Sequence, residues 1–209
     1  MNIIEIKNMT KKFGDHTIFN NYSLDIQEGD FVGIKGNSGK GKTTLLNIIG
    51  LLEPFEGELI IKNNKIKYKD SKQKKELLKN TIGYLFQNFA LVDDLTVYDN
   101  LKIALPKINN DNAKESIIKA LKEVGLDESY IKKKIYTCSG GEQQRIAIAR
   151  TMLKQCEIIL ADEPTGSLDE ENKKIVMNLI SKLNSDGKTV VLVSHDDMSL
   201  SYCRHVINL

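Results

Sequence analysis

Apolar positions change their spacing along this chain. Through the first third they fall in short runs rich in β-branched and aromatic residues, near 2–7, 17–27, 31–35 and 58–61, which read as strands. One helical pattern near 42–51 interrupts them, a second follows near 72–79, and a further strand lies near 82–86. In the middle, about 88–154, apolar residues recur every three or four positions with almost no strand signal. That spacing predicts helices near 96–104, 112–124 and 142–154. In the last third, strand-like runs near 157–161, 189–194 and 205–208 alternate with helical patterns near 168–184 and 197–203. The alternation predicts an α/β fold with a parallel sheet and crossover helices. An antiparallel patch is expected near the N-terminus and a helical sub-domain inserted after Gln87. No repeat or linker breaks the chain, so 1–209 reads as one domain, with 1–87 and 155–209 as the core and 88–154 as the helical insert.

Within this frame GNSGKGKTT at 36–44 follows a buried strand, FVGIKG, and opens a helix, TTLLNIIGLL. It fits the G-x-x-x-x-G-K-[ST] phosphate loop through Gly36, Gly41, Lys42 and Thr43 in the strand–loop–helix context that gives the motif meaning. Gly36, Asn37, Ser38, Gly39, Lys40 and Gly41 make a cradle whose backbone N–H groups turn inward, and the helix dipole adds positive potential there. Lys42 is expected on the β- and γ-phosphates, the Thr43 hydroxyl on Mg²⁺, and Thr44 on the α-phosphate.

Farther along, EIILADEPTGSLD places Asp162 and Glu163 at the end of an apolar strand. The C-terminal end of a buried strand in an open α/β sheet faces the ligand crevice. Asp162 is expected to hold Mg²⁺ through its water shell. Glu163, on the other side of the strand by alternation, is expected to polarise an attacking water as general base. A third stretch, CSGGEQQRIAIAR at 138–150, runs a Ser-Gly-Gly turn straight into a helix, an anion-binding arrangement of modest specificity taken alone.

In this order the three elements resemble the ATP-binding cassette (ABC) family over essentially the whole chain. The resemblance implies a P-loop NTPase with a RecA-like parallel-sheet core, an N-terminal antiparallel β sub-domain and an inserted α-helical sub-domain. It implies ATP as the nucleotide, in keeping with the absence of the N-K-x-D segment of guanine readers, and Mg²⁺ beside it. Phe13 stands where the family stacks an aromatic ring on adenine. Gln87, in YLFQNFAL, stands where a glutamine bridges Mg²⁺, the water and the helical sub-domain. Ser139, Gly140, Gly141 and Glu142 match the signature turn that caps the γ-phosphate held by a second subunit. Ser167, Leu168 and Asp169 match the loop that crosses to that subunit, and His195 matches the switch histidine on the γ-phosphate. The family pattern also implies a homodimer or paired cassette and a separately encoded integral membrane permease. The location it implies is cytoplasmic, peripheral on the cytoplasmic face of the membrane.

EPTGSLD, QNFALVDDLTVYDNL and SGGEQQRIAIAR are similar to the lipoprotein-release, macrolide-export and bacteriocin-export group, which implies export or extraction of peptides, lipoproteins or hydrophobic drugs. The alternative is a mechanotransmitting ATPase that controls cell-wall enzymes through a membrane partner and moves no cargo. Ribosome- and DNA-acting members are disfavoured by a single phosphate loop, no heptad run and no metal-spaced cysteines. Two departures stand out. Cys138 replaces the usual leucine of the signature, giving either a reactive thiol near the dimer interface or an inert buried one. The sequence also ends soon after His195, and on that ground no C-terminal regulatory domain is expected.

Composition changes this picture little. There are 30 Lys and Arg against 28 Asp and Glu in 209 residues, a net charge of +2, which makes no case for a nucleic-acid partner. The N-terminus has no signal-peptide pattern and no apolar run reaches the roughly 20 residues of a membrane span. Three separated cysteines read as cytosolic thiols. The Lys-rich stretch at 62–79 reads as a solvated hairpin and helix.

Overall fold

The computed structural model describes residues 1–105 and 112–209. Its strands form two sheets. In the first, β1 (Asn2–Phe13) and β2 (His16–Gln27) make a long antiparallel hairpin. The second contains β3 (Phe31–Lys35). β4 (Glu56–Ile61) pairs with the free edge of β1 and β5 (Asn64–Lys65) with β4, giving the all-antiparallel order β2-β1-β4-β5. The second sheet joins β3 to β6 (Ile82–Leu85), β7 (Ile158–Asp162), β8 (Thr189–Val193) and β9 (His205–Asn208) in the order β6-β7-β8-β3-β9, all parallel. The helices are α1 (Lys42–Ile49), α2 (Ser71–Asn80), α3 (Val97–Lys102), α4 (Ala113–Glu123), α5 (Gly140–Leu153), α6 (Glu170–Ser185) and α7 (Asp197–Leu200).

The parallel strands are apolar throughout because both of their faces are covered. Alternation divides them between two cores. Ile159, Ala161, Val190 and Leu192 pack with Val97, Leu101, Ile117, Leu121, Ile146 and Ile180 of the helices. Ile158, Leu160, Val191, Val193 and Ile34 pack on the other face with Leu45, Leu46 and Ile48 of α1 and with Ile4, Ile6 and Leu59 of the antiparallel sheet. Each such fully buried Ile or Leu contributes roughly 1.5–3 kcal/mol relative to leaving it in water.

The predicted elements are present, and the differences have local causes. β1 continues to Phe13 where the pattern predicts a strand near 2–7. Asn8 adopts φ +52° and the register with β2 shifts between Ile6 and Met9, a bulge that breaks the period-2 alternation the pattern relies on. α5 starts at Gly140 rather than 142 because Ser139 caps it, which outweighs the poor helix propensity of two glycines. α6 starts at Glu170 rather than 168 because Asp169 is its N-cap. The Lys-rich stretch is the β4–β5 turn plus α2, which carries no buried residue.

One buried side chain organises the start of the helical region. Asn100, 1% exposed, accepts from the Val92 N–H at 2.8 Å and donates from Nδ2 to the Val92 and Thr96 carbonyls at 3.1 and 3.0 Å. It thereby closes the loop 92–96 onto α3. Replacing it leaves the Val92 N–H without its partner, at about 1–3 kcal/mol, while the Val92 carbonyl keeps the Leu95 N–H at 3.1 Å. Asn100→Ala is therefore expected to lower the unfolding free energy by about 2 kcal/mol or more, read as a lower urea midpoint with an unchanged slope.

Candidate active site

The site sits where the parallel strands end. Ile34 and Asp162 both pair with Val193, so β3, β7 and β8 stop in step. The loop after β3, the carboxylates at the end of β7 and His195 after β8 therefore meet at one edge, as ligand sites do in open α/β sheets. A cavity of about 760 Å³ opens there, lined by Gly36, Asn37, Ser38, Gly39, Gly41, Lys42, Thr43 and Thr44, together with Ile18, Gln87, Glu163 and His195.

The loop geometry needs glycine at Gly41. Its φ is +89°, and a Cβ there would lie 2.4 Å from a methyl of Ile18 and 3.0 Å from the Phe19 ring. Gly41 is also the N-cap of α1 and provides no side-chain cap, which leaves first-turn N–H groups for an anion. Lys42 Nζ curls back to donate to the carbonyls of Gly36 at 2.7 Å and Asn37 at 3.2 Å. The ammonium thus lies within the mouth of the loop.

Asp162 is buried, with 7% of its surface exposed, and the Thr43 hydroxyl donates to its Oδ1 at 3.2 Å. Burial holds its carboxyl above the usual range; the Thr43 hydrogen bond opposes this, Glu163 adds to it and Lys42 opposes it. A half-desolvated carboxylate beside a hydroxyl is an oxygen-donor set suited to Mg²⁺, which uses one or two carboxylates with phosphate oxygens and water. Among the described residues no cluster of three His, Cys, Asp or Glu side chains forms a self-sufficient metal cage.

Glu163 adopts φ +45°, an uncommon conformation for a residue with a Cβ, while its N–H is held by the Val193 carbonyl at 2.9 Å. The twist points the chain off the strand line, and the carboxylate meets two groups from the end of β8. His195 Nδ1 lies 2.9 Å from Oε1, and the Ser194 hydroxyl reaches Oε2 at 3.5 Å. The imidazole is 71% exposed and Glu163 only 14%. The structure therefore joins a protected carboxylate to a solvent-facing histidine, two residues 32 positions apart.

The remaining sequence-predicted residues lie outside the cavity. Ser139 accepts from the Glu142 N–H at 3.3 Å and Glu142 returns by accepting from the Ser139 N–H at 2.7 Å, a capping box. Glu142 also accepts from the Tyr130 hydroxyl, so its carboxylate is taken up inside the chain. Hydrogen bonding to Tyr130 holds that carboxyl below its usual range. Gly141 abuts Asn172, where a Cβ would come 2.4 Å from Oδ1, and Asn172 is held by Asp169 through its N–H at 2.9 Å and Nδ2 at 2.8 Å. The signature turn and Asp169 thus form one patch, with Gly140 facing open space but for Leu168. Lys40 is exposed at the loop tip, and Phe13 is 48% exposed at the end of β1. Neither lines the cavity; Ile18 of the same hairpin does, and no motif marks it.

Sequence reasoning also missed Arg150. From the last turn of α5 it donates to the Phe89 carbonyl at 2.9 Å and the Ala90 carbonyl at 2.5 Å. Both residues have positive φ, at +61° and +48°. One guanidinium thus pins the turn after Gln87 to the helix that begins at the signature.

A protein-family profile described as "ABC transporter" matches residues 19–166. An uncharacterized ABC transporter ATP-binding protein of Methanocaldococcus jannaschii, MJ0796, is 42% identical over 205 residues, covering 93% of this chain and 87% of that one. The lipoprotein-releasing system ATP-binding protein LolD of Aquifex aeolicus is 38% identical over 197 residues, covering 93% and 88%. The macrolide export ATP-binding/permease protein MacB of Campylobacter jejuni is 37% identical over 212 residues, covering 99% of this chain but 33% of its own length. Among solved structures, dimeric MJ0796 in a post-hydrolysis state bound to ADP and Pi superposes with a TM-score of 0.90 at 38% identity, covering 99% of this chain and 94% of that chain.

Cys138, next to the signature turn, is buried in the helical core at 6% exposure. Burial pushes its thiol up, and it pushes Cys156 up and Cys203 up to about 12. At pH 7.5 all three are thiols, not thiolates, and a thiol is a poor nucleophile. Native protein is therefore expected to keep its activity through treatment with N-ethylmaleimide, all three cysteines reacting only after unfolding. Intact-mass measurement before and after denaturation checks this.

Proposed function

The chain belongs to the ABC transporter family as an ATP-hydrolysing, ATP-binding subunit, and from that premise we propose how its residues divide the work. Two cassettes close head-to-tail on two ATP molecules. Gly36, Asn37, Ser38, Gly39, Lys40, Gly41, Lys42, Thr43 and Thr44 of one copy hold the phosphates, with Phe13 against the adenine. Ser139, Gly140 and Gly141 of the other copy cap the γ-phosphate, with the positive end of α5 behind them. The observation that carries this reading is the placement just described. One cavity gathers the loop, Gln87, Glu163 and His195, while Ser139, Gly140 and Gly141 are not among its lining residues, which supports their meeting a phosphate held by a mate.

Thr43, Asp162 and Gln87 would hold Mg²⁺, which when bound screens the phosphate charge. Glu163 takes a proton from water as the oxygen attacks the γ-phosphorus, and the bond from that phosphorus to the β–γ bridging oxygen breaks. His195 orients Glu163 and, from its exposed position, reaches toward the γ-phosphate. Loss of that phosphate removes the contact that holds the two copies together. Glu142 acts through the turn it caps rather than on the ligand, since its carboxylate is engaged by Ser139 and Tyr130.

The work is delivered to a separately encoded membrane permease, with the cassette on the cytoplasmic face. No described helix is long and apolar enough to cross a membrane. A cavity of about 530 Å³ floored by the stacked rings of Tyr84 and Phe86 and edged by Leu105, Arg150 and Lys154 lies beside the turn after Gln87, and we assign it to that partner. Relatives named for lipoprotein release and macrolide export support export or extraction of peptides, lipoproteins or hydrophobic drugs. We keep the division of 1–209 into a core, 1–87 with 155–209, and a helical insert, 88–154, as part of this proposal.

Glu163→Gln is expected to cut turnover by at least about 100-fold while leaving ATP binding, and so to accumulate a closed dimer on gel filtration with ATP. A mutant that stays monomeric at high ATP and protein concentration defeats the sandwich. Lys42→Ala is expected to weaken fluorescent-ATP binding by about tenfold or more, because it removes a charge-assisted phosphate contact.

A further inference from the structure

Among the described residues Lys11 is the only buried lysine, with 7% of its surface exposed. A buried ammonium is costly unless its donors are satisfied, and this one is tied on two sides. It donates to Glu53 Oε2 at 2.9 Å and to the Pro54 carbonyl at 2.8 Å. It also lies 4.4 Å from the centre of the Phe13 ring. Lys11 and Phe13 are two positions apart on β1, where the register with β2 shifts between Lys11 and Lys12, and the contact itself puts the ammonium and the ring on one side of the strand.

These contacts span the two halves of the nucleotide site. Phe13 belongs to the antiparallel sheet. Glu53 and Pro54 follow α1, the helix whose N-terminus closes the phosphate loop. The hairpin and that loop already touch where Gly41 meets Ile18 and Phe19, and the ammonium provides a second, polar tie between them. Phe13 remains 48% exposed with the cation at its ring, which leaves surface free for a second planar group. A cation at a ring draws π-density toward itself, leaving the opposite face better suited to stack on an electron-rich purine.

We propose that Lys11 is a positioning residue for the nucleotide base: it fixes the Phe13 ring and sets its distance from the phosphate cradle, so that base and phosphates are bound together without reorganisation. The proposal rests on the reading that Phe13 stacks on adenine.

Lys11→Met keeps the aliphatic stem and removes the charge. The expected result is a KM for ATP raised about tenfold, a kcat within about twofold, and an unchanged inhibition constant for inorganic tripolyphosphate, which has no base to stack. In a Phe13→Ala background the same change is expected to add nothing, because the two residues act as one unit. Glu53→Gln, which loosens the anchor and keeps the ammonium, is expected to shift the KM in the same direction by less, and it serves if Lys11→Met fails to fold. The chain has no tryptophan, so Phe13→Trp supplies a lone indole whose quenching by ATP reports the platform directly. Equal weakening of ATP and tripolyphosphate, or a fall in kcat, makes Lys11 merely structural and overturns the proposal. An unchanged KM in Lys11→Met and Glu53→Gln, alongside a raised KM in Phe13→Ala, overturns it and leaves the stacking reading standing. An unchanged KM in Phe13→Ala removes both.

Discussion

Val193 is the residue on which the reactive edge of this molecule is hung. On one side it pairs with Ile34, two residues before the phosphate loop; on the other it pairs with Asp162. Its carbonyl then takes the N–H of Glu163. A slip of one residue in either pairing would turn every side chain of the slipped strand to the opposite face and exchange its contributions to the two cores. Hydrophobic burial on both faces of the sheet therefore specifies, to within a hydrogen bond, where Thr43 meets Asp162 and where Glu163 meets His195. The chemistry inherits its precision from the packing of Ile158, Leu160 and Val191, none of which lines the cavity.

The phosphate loop and the acidic strand end were legible in the sequence because each is contiguous and each has a mechanical reason for its residue types. Gly41 has to be glycine at φ +89° against Ile18, and an apolar strand running into two carboxylates has to end at the crevice. Non-local partnerships carry no such mark. Nothing in the string pairs Arg150 with the carbonyls of residues 61 and 60 positions earlier, or Lys11 with Glu53 across 42. Ile18 enters the cavity wall only because the hairpin folds over the loop. The strand pattern also fell silent after residue 7, since the bulge at Asn8 interrupts the alternation while the strand itself runs on.

The signature segment shows how one short turn serves two ends. Ser139 and Glu142 spend their side chains on each other and on Tyr130, and Gly141 is required for close approach to Asn172 irrespective of any ligand. What remains outward is the exposed Ser139, Gly140 and the dipole of a 14-residue helix. A surface made of one hydroxyl, backbone and helix field presents little that must be desolvated before it meets an anion. Asp169, capping α6 and gripping Asn172, braces the same patch from behind.

Arg150 grips main-chain oxygens, not side chains. The side chains at 89 and 90 are therefore left out of the linkage: Phe89 packs against the helical core, Ala90 is exposed, and both sit on a left-handed backbone, which Gly, Asn and Asp tolerate best. Such a joint separates fit from transmission. Substitutions in the turn can reshape the face offered to the proposed membrane partner while the mechanical link to α5 survives intact, so one engine of this kind can be adapted to different machines by altering a few residues in a single bend.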